Sequence, residues 1–331
     1  MAGTPDAADT NARQTPRLIA LDWGTTSLRA WLLGANGTVI DSAAQPWGIM
    51  AVPDGDFAKA LATITAPWTH QSLPMLASGM VGSAQGWREV AYVAGPAGVD
   101  DLVTALRRQR ESGVPLPIVP GVTLGGAFPD VMRGEETQIA GALELLPALH
   151  GHARLVLPGT HSKWVTVRDG AIVAFTTYIT GEMFAVLTRH SILGRPALAA
   201  GKTAPGTTEE AWAAFEQGVA AIRDNPSRGL GSLLFSARTL VLTHRMAPEV
   251  SLDYLSGLLI GDELRNALPD RTDTAALALI GDRGLCEHYV RALALFGVPE
   301  PPVIASAAVA GLWRIAKAAA LVPADEGILS P

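Results

Sequence analysis

A short turn near the start of the chain carries residues that could bind phosphate. It follows an apolar strand and contains Asp22, Gly24, Thr25, Thr26 and Ser27. Glycine lets the backbone approach a ligand closely, and the amide and hydroxyl groups beyond it are neutral donors for phosphate oxygens. Asp22, at the strand end, could hold Mg²⁺ directly or through water, because magnesium usually takes only one or two protein carboxylates.

A second turn, near the middle of the chain, offers the same donors with a cation added. It contains Gly159, Thr160, His161, Ser162 and Lys163. Either turn alone could be a solvated hairpin with capping hydroxyls. Two such turns in matching positions favour a pair of phosphate-binding turns, one per domain, that grip a triphosphate across a cleft between the domains.

The segments around these turns repeat one pattern of strands. Strands are predicted at residues 18–21 and 28–33 and from 38 onward, and again at 155–157, 164–167 and 171–178. These runs are rich in β-branched and aromatic residues and are bounded by Gly, Asn and Asp turns. The repeat is too long for a solenoid, so it indicates a duplicated α/β domain, although two unrelated α/β domains sharing generic hairpins would look similar. We expect a tail over 1–16 and domains over 17–131 and 132–331.

Composition limits the class of protein. The chain has 331 residues, 48% of them hydrophobic and 17% charged, with a net charge of −6, which predicts a folded chain without a basic surface for nucleic acid or anionic lipid. One cysteine, Cys286, excludes an intramolecular disulfide framework and a cysteine-cluster zinc site. The start shows no signal-peptide pattern, and no apolar run could span a bilayer. We expect a cytoplasmic protein, and homo-oligomerisation stays open.

Several motifs together resemble a known kinase family. Residues 22–30 resemble the first phosphate motif of the glycerol and xylulose kinases in the actin-like ATPase superfamily, and 159–164 resemble the second. With these, segments 77–83, 132–138, 157–164 and 180–184 resemble the 2-dehydro-3-deoxygalactonokinase family, over about residues 18–320. The resemblance implies an α/β chain of two actin-like (ribonuclease H-like) domains with an interdomain active-site cleft. It also implies ATP and Mg²⁺, and phosphorylation of 2-dehydro-3-deoxy-D-galactonate to its 6-phosphate.

Two adjacent carboxylates could take a proton from the attacking hydroxyl. Glu135 and Glu136 precede a predicted helix over 139–149, where the positive end of the helix dipole stabilises ionised carboxylates. In the glycerol and xylulose kinases a Gly-Asp at this point provides the base, and Gly134-Glu135 matches it with a longer side chain. Glu136 could hold the same role, or both could simply complement the helix terminus.

The resemblance also implies an acceptor loop after a strand that begins near residue 75. Its candidate substrate-binding residues are Ser78, Gly79, Met80, Ser83 and Trp87. Arg88 could bind a substrate carboxylate with its planar fork, or could be a surface residue. Glu182, at the end of the third strand of the second repeat, could face the cleft or cap the next helix.

A glycine after a later apolar strand is similar to the family's adenosine motif. Gly281 would admit the base and ribose, and Asp282 follows it where the family more often has a small residue. The small-residue run 305–311 could start a helix near the same pocket, or could serve helix packing alone.

Other nucleotide-binding classes do not fit the sequence. Residues 201–203 lack the preceding glycine of a P-loop, and no G-x-G-x-x-G fingerprint is present. An actin-fold kinase for another keto-deoxy acid, a ketose or a polyol remains open, as does a non-catalytic actin-fold nucleotide-binding regulator. Such a regulator would need neither the acceptor loop nor Gly134-Glu135, so these two segments favour a kinase.

Overall fold

The computed structural model describes residues 15–68, 72–268 and 275–323. The predicted N-terminal tail, 1–16, therefore lies almost wholly outside the described residues. The described residues form two compact units: 15–68, 72–153, 165–175 and 306–323 form the first, and 154–164, 176–268 and 275–305 form the second.

Twelve strands and eleven α-helices are found in the described ranges. The strands are β1 (Leu18–Trp23), β2 (Leu28–Leu33), β3 (Val39–Gln45), β4 (Met75–Ser78), β5 (Val93–Ala94), β6 (Val122–Leu124), β7 (Asp130–Met132), β8 (His152–Leu157), β9 (Ser162–Arg168), β10 (Ala171–Tyr178), β11 (Ala276–Ile280) and β12 (Val303–Ile304). The helices are α1 (Phe57–Thr65), α2 (Val99–Glu111), α3 (Glu135–Leu145), α4 (Thr180–His190), α5 (Arg195–Ala199), α6 (Glu209–Arg223), α7 (Leu230–Leu234), α8 (Ser236–Leu242), α9 (Ser251–Ala267), α10 (Arg283–Leu295) and α11 (Ala307–Ala318).

The first sheet has the strand order β3-β2-β1-β4. β1 pairs antiparallel with β2 and parallel with β4, so that Asp22 lies opposite Arg29 on one side and Ser78 on the other. β1 is apolar along nearly its whole length and buried on both faces, as expected for a central strand. The register thus places the start of the first phosphate turn beside the start of the acceptor loop.

The second large sheet repeats this order as β10-β9-β8-β11-β12. In both sheets the first strand of a three-strand meander is flanked by the second strand and by a strand from much later in the chain. The repetition confirms the predicted α/β class with a duplicated unit, in the strand order of the actin-like, ribonuclease H-like fold. A third, small sheet has the order β5-β6-β7. The predicted cleft between the domains stays a prediction.

The compact units do not follow the predicted boundary between residues 131 and 132. Helix α3 belongs to the first unit, because it crosses α11 at a point where both helices carry glycine. A Cβ on Gly141 would lie 1.8 Å from the Ala307 carbonyl oxygen, and a Cβ on Gly311 would lie 1.8 Å from the Thr137 carbonyl oxygen. The run 305–311 thus serves helix packing, which is one of its two predicted roles.

The second unit has its own glycine crossing, between α6 and α9. A Cβ on Gly218 would lie 2.3 Å from the Tyr254 carbonyl oxygen, and one on Gly257 would lie 2.0 Å from the Phe215 carbonyl oxygen. This close approach buries α9 on nearly all sides, including the acidic side chain of Glu263. Over the residues described, no helix is both long and apolar enough to cross a membrane.

Candidate active site

In the first unit, the first phosphate turn is exposed at the end of β1. The Gly24 N–H donates to the Ser27 carbonyl at 2.9 Å and closes the turn. Thr25 and Thr26 are exposed and Ser27 is half-buried, so their hydroxyl groups are available to a ligand. The location fits the predicted phosphate contact, which stays a prediction.

Asp22 lies beneath this turn and is bound to one arginine. Its Oδ2 accepts a hydrogen bond from Arg29 Nη2 at 2.5 Å. Burial raises the pKa of the Asp22 carboxyl, and the charge and hydrogen bond of Arg29 partly offset that rise. Oδ1 faces the acceptor loop, since a Cβ placed on Gly79 would lie 3.3 Å from it.

The acceptor loop meets both Asp22 and the start of α3 at Gly79. Gly79 has φ +94° and Gly134 has φ +107°, a region that favours glycine. A Cβ on Gly79 would lie 2.8 Å from the Trp23 carbonyl oxygen, and a Cβ on Gly134 would lie 3.3 Å from the Gly79 Cα. The structure therefore brings together three of the predicted motifs: the first phosphate turn, the acceptor loop and the carboxylate pair.

The other predicted acceptor residues differ in what they contact. Ser78 is buried, and its hydroxyl donates to the Leu21 carbonyl at 3.4 Å. Trp87 stacks on Phe57 with ring centroids 6.2 Å apart. Met80 is half-buried and follows Gly79 directly.

Arg88 is engaged by its own unit. Its Nη2 donates to Gln109 Oε1 at 2.9 Å and to the Leu116 carbonyl at 3.2 Å. This guanidinium nitrogen thus already has two acceptors that fix the loop against neighbouring segments. Its predicted role as the partner of a substrate carboxylate stays untested.

The two carboxylates at the start of α3 have different environments. Glu135 is half-buried, and its Oε2 accepts from the Arg133 N–H at 2.9 Å. Glu136 is 1% exposed, and its oxygens accept from the Gly134 N–H at 2.7 Å and from Thr137 Oγ1 at 2.9 Å. Burial, aided by the charge of Glu135, raises the pKa of Glu136 to about 8. Glu136 is therefore mostly protonated at neutral pH, and which of the two carboxylates accepts a proton stays a prediction.

In the second unit, the second phosphate turn is shorter than predicted. Gly159 is half-buried, and Thr160 and His161 are exposed, but Ser162 and Lys163 are buried at the start of β9. Lys163 Nζ donates to Thr177 Oγ1 at 2.7 Å. The backbone of the turn and the side chains of Thr160 and His161 are thus its exposed donors.

Glu182 lies against this turn. It is in the first turn of α4, where its N–H donates to the Thr160 carbonyl at 3.0 Å and its Oε2 lies 2.6 Å from His161 Nε2. A Cβ on Gly181 would lie 2.5 Å from the Gly159 carbonyl oxygen. The structure therefore links Glu182 to the phosphate turn of its own unit; contact with an acceptor stays a prediction.

The candidate adenosine motif lies beside the same turn. A Cβ on Gly281 would lie 3.7 Å from the Pro158 carbonyl oxygen and equally far from Cys286 Sγ. Asp282 caps α10, because its Oδ1 accepts from the Leu285 N–H at 3.1 Å. The exposed Asp282 carboxylate is thus already used by the helix, whereas Gly281 stays a candidate for close approach of a nucleotide.

A buried carboxylate behind this turn was not predicted from the sequence. Glu263 is 2% exposed, and its Oε1 accepts from Ser162 Oγ and Trp164 Nε1, each at 2.7 Å. Its Oε2 accepts from Tyr289 Oη at 2.8 Å and from Thr180 Oγ1. The Ser162 hydroxyl thus donates its proton to Glu263, and a contact between Ser162 and a phosphate stays a prediction.

The chain matches one protein family over nearly its whole length. The sequence profile of the 2-keto-3-deoxy-galactonokinase family matches residues 22–315. The chain is 36% identical to a probable 2-dehydro-3-deoxygalactonokinase of Rhizobium meliloti, over 90% of this chain and 96% of the relative. It belongs to the 2-keto-3-deoxy-galactonokinase family.

Two further relatives of this family agree. The 2-dehydro-3-deoxygalactonokinase of Escherichia coli is 32% identical over 92% of this chain and 99% of the relative. A crystal structure of a candidate 2-dehydro-3-deoxygalactonokinase from Sinorhizobium meliloti superposes with a TM-score of 0.80 at 35% identity, over 91% of this chain and 98% of that one. The resemblance that the motifs indicated is thereby confirmed.

The raised pKa of Glu136 makes stability depend on pH in this member of the 2-keto-3-deoxy-galactonokinase family. Its folded-state pKa of about 8 lies above the ordinary value of 4.5, so the folded protein binds the proton more tightly than the unfolded chain. The stabilisation is full below pH 4.5 and is lost as the pH rises through 8. We expect the free energy of unfolding of the wild type, relative to Glu136→Gln, to fall across this range by up to about 1.4 kcal/mol per pH unit.

Urea denaturation of both proteins at several pH values between 4.5 and 8.5 measures this difference. Glutamine keeps the size of the side chain and cannot ionise, so it is the matched control. Parallel pH profiles for the two proteins would contradict the raised pKa.

Proposed function

We propose that the protein transfers the γ-phosphoryl group of ATP to 2-dehydro-3-deoxy-D-galactonate, giving the 6-phosphate. The observation that carries the proposal is the meeting of Asp22, Gly79 and Gly134 in the first unit, in a chain that belongs to this kinase family. An acceptor in the loop beginning at Ser78 would thus lie next to both a phosphate turn and a carboxylate. ATP consumption agrees with the expected cytoplasmic location.

The chemistry assigned to this site is proton removal with phosphoryl transfer. Glu135 accepts the proton of the attacking hydroxyl, whose oxygen forms the new bond to the γ-phosphorus. The bond from the γ-phosphorus to the bridging oxygen breaks, and ADP leaves with that electron pair. Positioning and charge stabilisation supply most of the rate in this kind of reaction.

The nucleotide would be held by backbone and hydroxyl donors. In the first unit, taken by itself, these are Thr25, Thr26 and Ser27. The second unit carries its own set of exposed donors, the Gly159–Thr160 backbone and His161. Gly281 would admit the nucleoside beside the second turn.

The residues present fit a magnesium ion. Asp22 Oδ1 faces the space that Gly79 leaves without a side chain, and one carboxylate is enough where waters and phosphate oxygens complete the shell. When bound, Mg²⁺ would neutralise charge on the phosphates. Arg29, bound to Oδ2, would fix the carboxylate's orientation.

An acceptor panel tests the proposal. ADP release with ATP and Mg²⁺ is measured for 2-dehydro-3-deoxygalactonate, its gluconate epimer, xylulose, glycerol and no acceptor. We expect fast turnover with the galactonate compound. Turnover only with another acceptor would replace the substrate, and ATP binding without acceptor-dependent ADP release would favour the nucleotide-binding regulator.

A further inference from the structure

Within the described residues, Arg133 is a buried cation without an ion-pair partner. It is 7% exposed and lies between β7 and Gly134. Its Nη2 donates to the Val90 carbonyl at 2.7 Å, and its guanidinium lies 4.2 Å from the ring centroid of Tyr92. Its Nε and Nη1 are buried and have no hydrogen-bond partner in the described part of the chain. A buried charge without a partner lowers the stability of the folded protein. A ligand that supplies the missing acceptors, or local strain, would explain why this arginine is buried.

A second unpaired donor lies in the acceptor loop next to it. Ser83 is 7% exposed, and its Oγ has no hydrogen-bond partner among residues 15–68, 72–268 and 275–323. Arg133 Nη1 lies close to Gly82, the residue before Ser83: a Cβ on Gly82 would lie 2.9 Å from Nη1. The loop is held in place there by the Val90 N–H, which donates to the Gly82 carbonyl at 2.9 Å.

The chemistry of these donors selects an anion with at least two oxygens. The guanidinium is planar and always charged, and its unpaired Nη1 group can donate to one carboxylate oxygen, while Nε–H points to the other side of the plane, toward Nη2. The Ser83 hydroxyl adds a neutral donor. Arg88, by contrast, already donates from Nη2 to Gln109 and Leu116.

We propose that Arg133, assisted by Ser83, binds the carboxylate of the sugar-acid acceptor. This inference rests on the proposed function, because it names the group that recognises the acid of that substrate. Arg133 directly precedes Gly134 and Glu135, so one short segment would hold the acid and remove the proton from the hydroxyl. Because the unpaired nitrogens are covered by protein, the loop around Gly82 and Ser83 shifts when the acid binds.

The test compares the acid with its uncharged amide. Calorimetry without ATP measures binding of 2-dehydro-3-deoxygalactonate and of the corresponding amide to the wild type, Arg133→Gln and Tyr92→Leu. We expect the wild type to prefer the acid by about 30- to 4,000-fold, the range for a buried charged pair. Arg133→Gln should lose that preference, whereas Tyr92→Leu, which keeps the guanidinium and removes only its ring contact, should retain it.

Kinetics separate substrate binding from a structural role. For Arg133→Gln we expect KM for the acid to rise by a similar factor, while kcat at saturating acid and KM for ATP stay within a few-fold. A loss of kcat with an unchanged preference for acid over amide would overturn the proposal. If Arg133→Gln does not fold, Arg133→Lys takes its place: a preference for the acid that falls in this variant, which keeps the charge but loses the guanidinium donors, would uphold the proposal, and equal affinity of the wild type for acid and amide or a preference unchanged in Arg133→Lys would overturn it.

These outcomes are distinct from failure of the proposed function. A wild type that binds the acid through Arg133 but releases no ADP retains this subsite and loses the kinase assignment. A wild type that phosphorylates acid and amide with equal affinity retains the kinase assignment and loses the subsite.

Discussion

Replacing Glu135 by glutamine is expected to lower kcat for acceptor phosphorylation by about 100- to 10,000-fold, with KM for ATP nearly unchanged. Glutamine keeps the size of the side chain and the acceptor for the Arg133 N–H, but it cannot take the proton. Steady-state ADP release at saturating ATP and varied acceptor measures both constants.

Glu136→Gln is the matched comparison, since the two residues are neighbours with the same side chain. Glu136 is buried with a pKa of about 8, so at neutral pH a neutral amide resembles its protonated form. We expect this variant to lose far less activity than Glu135→Gln. Greater loss in Glu136→Gln would assign the base to Glu136, and full activity in both variants would remove the carboxylate pair from the chemistry.

Replacing Glu263 by alanine is expected to lower the free energy of unfolding by about 3–5 kcal/mol. The change leaves the Ser162 and Thr180 hydroxyls, the Trp164 indole and the Tyr289 phenol without their common acceptor. Burial and the charge of Glu263 hold the pKa of Tyr289 well above its ordinary value, which keeps the phenol a donor. Urea denaturation measures the loss.

Two milder variants show whether the loss comes from the hydrogen bonds. Glu263→Gln keeps one acceptor oxygen, and the hydroxyls of Thr180 and Tyr289 can rotate to accept from its amide, so a smaller loss is expected. Tyr289→Phe removes one donor and should cost about 1 kcal/mol. If Glu263→Ala unfolds at the same urea concentration as the wild type, the carboxylate does not stabilise the second unit.

The strand meanders and phosphate turns could be predicted because their signals are local. Glycine, Asn and Asp mark the turns between short β-branched runs, and β1, β2 and β10 fall where these signals place them. The predicted second turn ran too far, to Lys163, because the strand begins at Ser162. Ser162 points inward because its hydroxyl donates to Glu263 in α9. Since this partner lies far away in sequence, the local pattern does not show which residues of the turn are buried.

Other features depend on contacts that no local pattern reveals. Glu263 reaches Ser162, which is 101 residues away in sequence; its one signal was an acidic side chain within the apolar run of α9. Arg133 was visible only as part of a motif, since its burial and unpaired nitrogens arise from packing against Val90 and Tyr92. The different environments of Glu135 and Glu136 likewise required the structure.

The crossing of α3 and α11 has a consequence for synthesis on the ribosome. The helix that begins with Glu135 is made early, but the surface on which Gly141 packs is carried by residues 307–318 of a 331-residue chain. All of the second unit, through residue 305, is translated before that surface exists. The first unit is thus begun first and completed last. Chains that terminate before residue 307 lack the partner of the helix that carries Glu135, so the positioning of this helix requires translation to continue through α11.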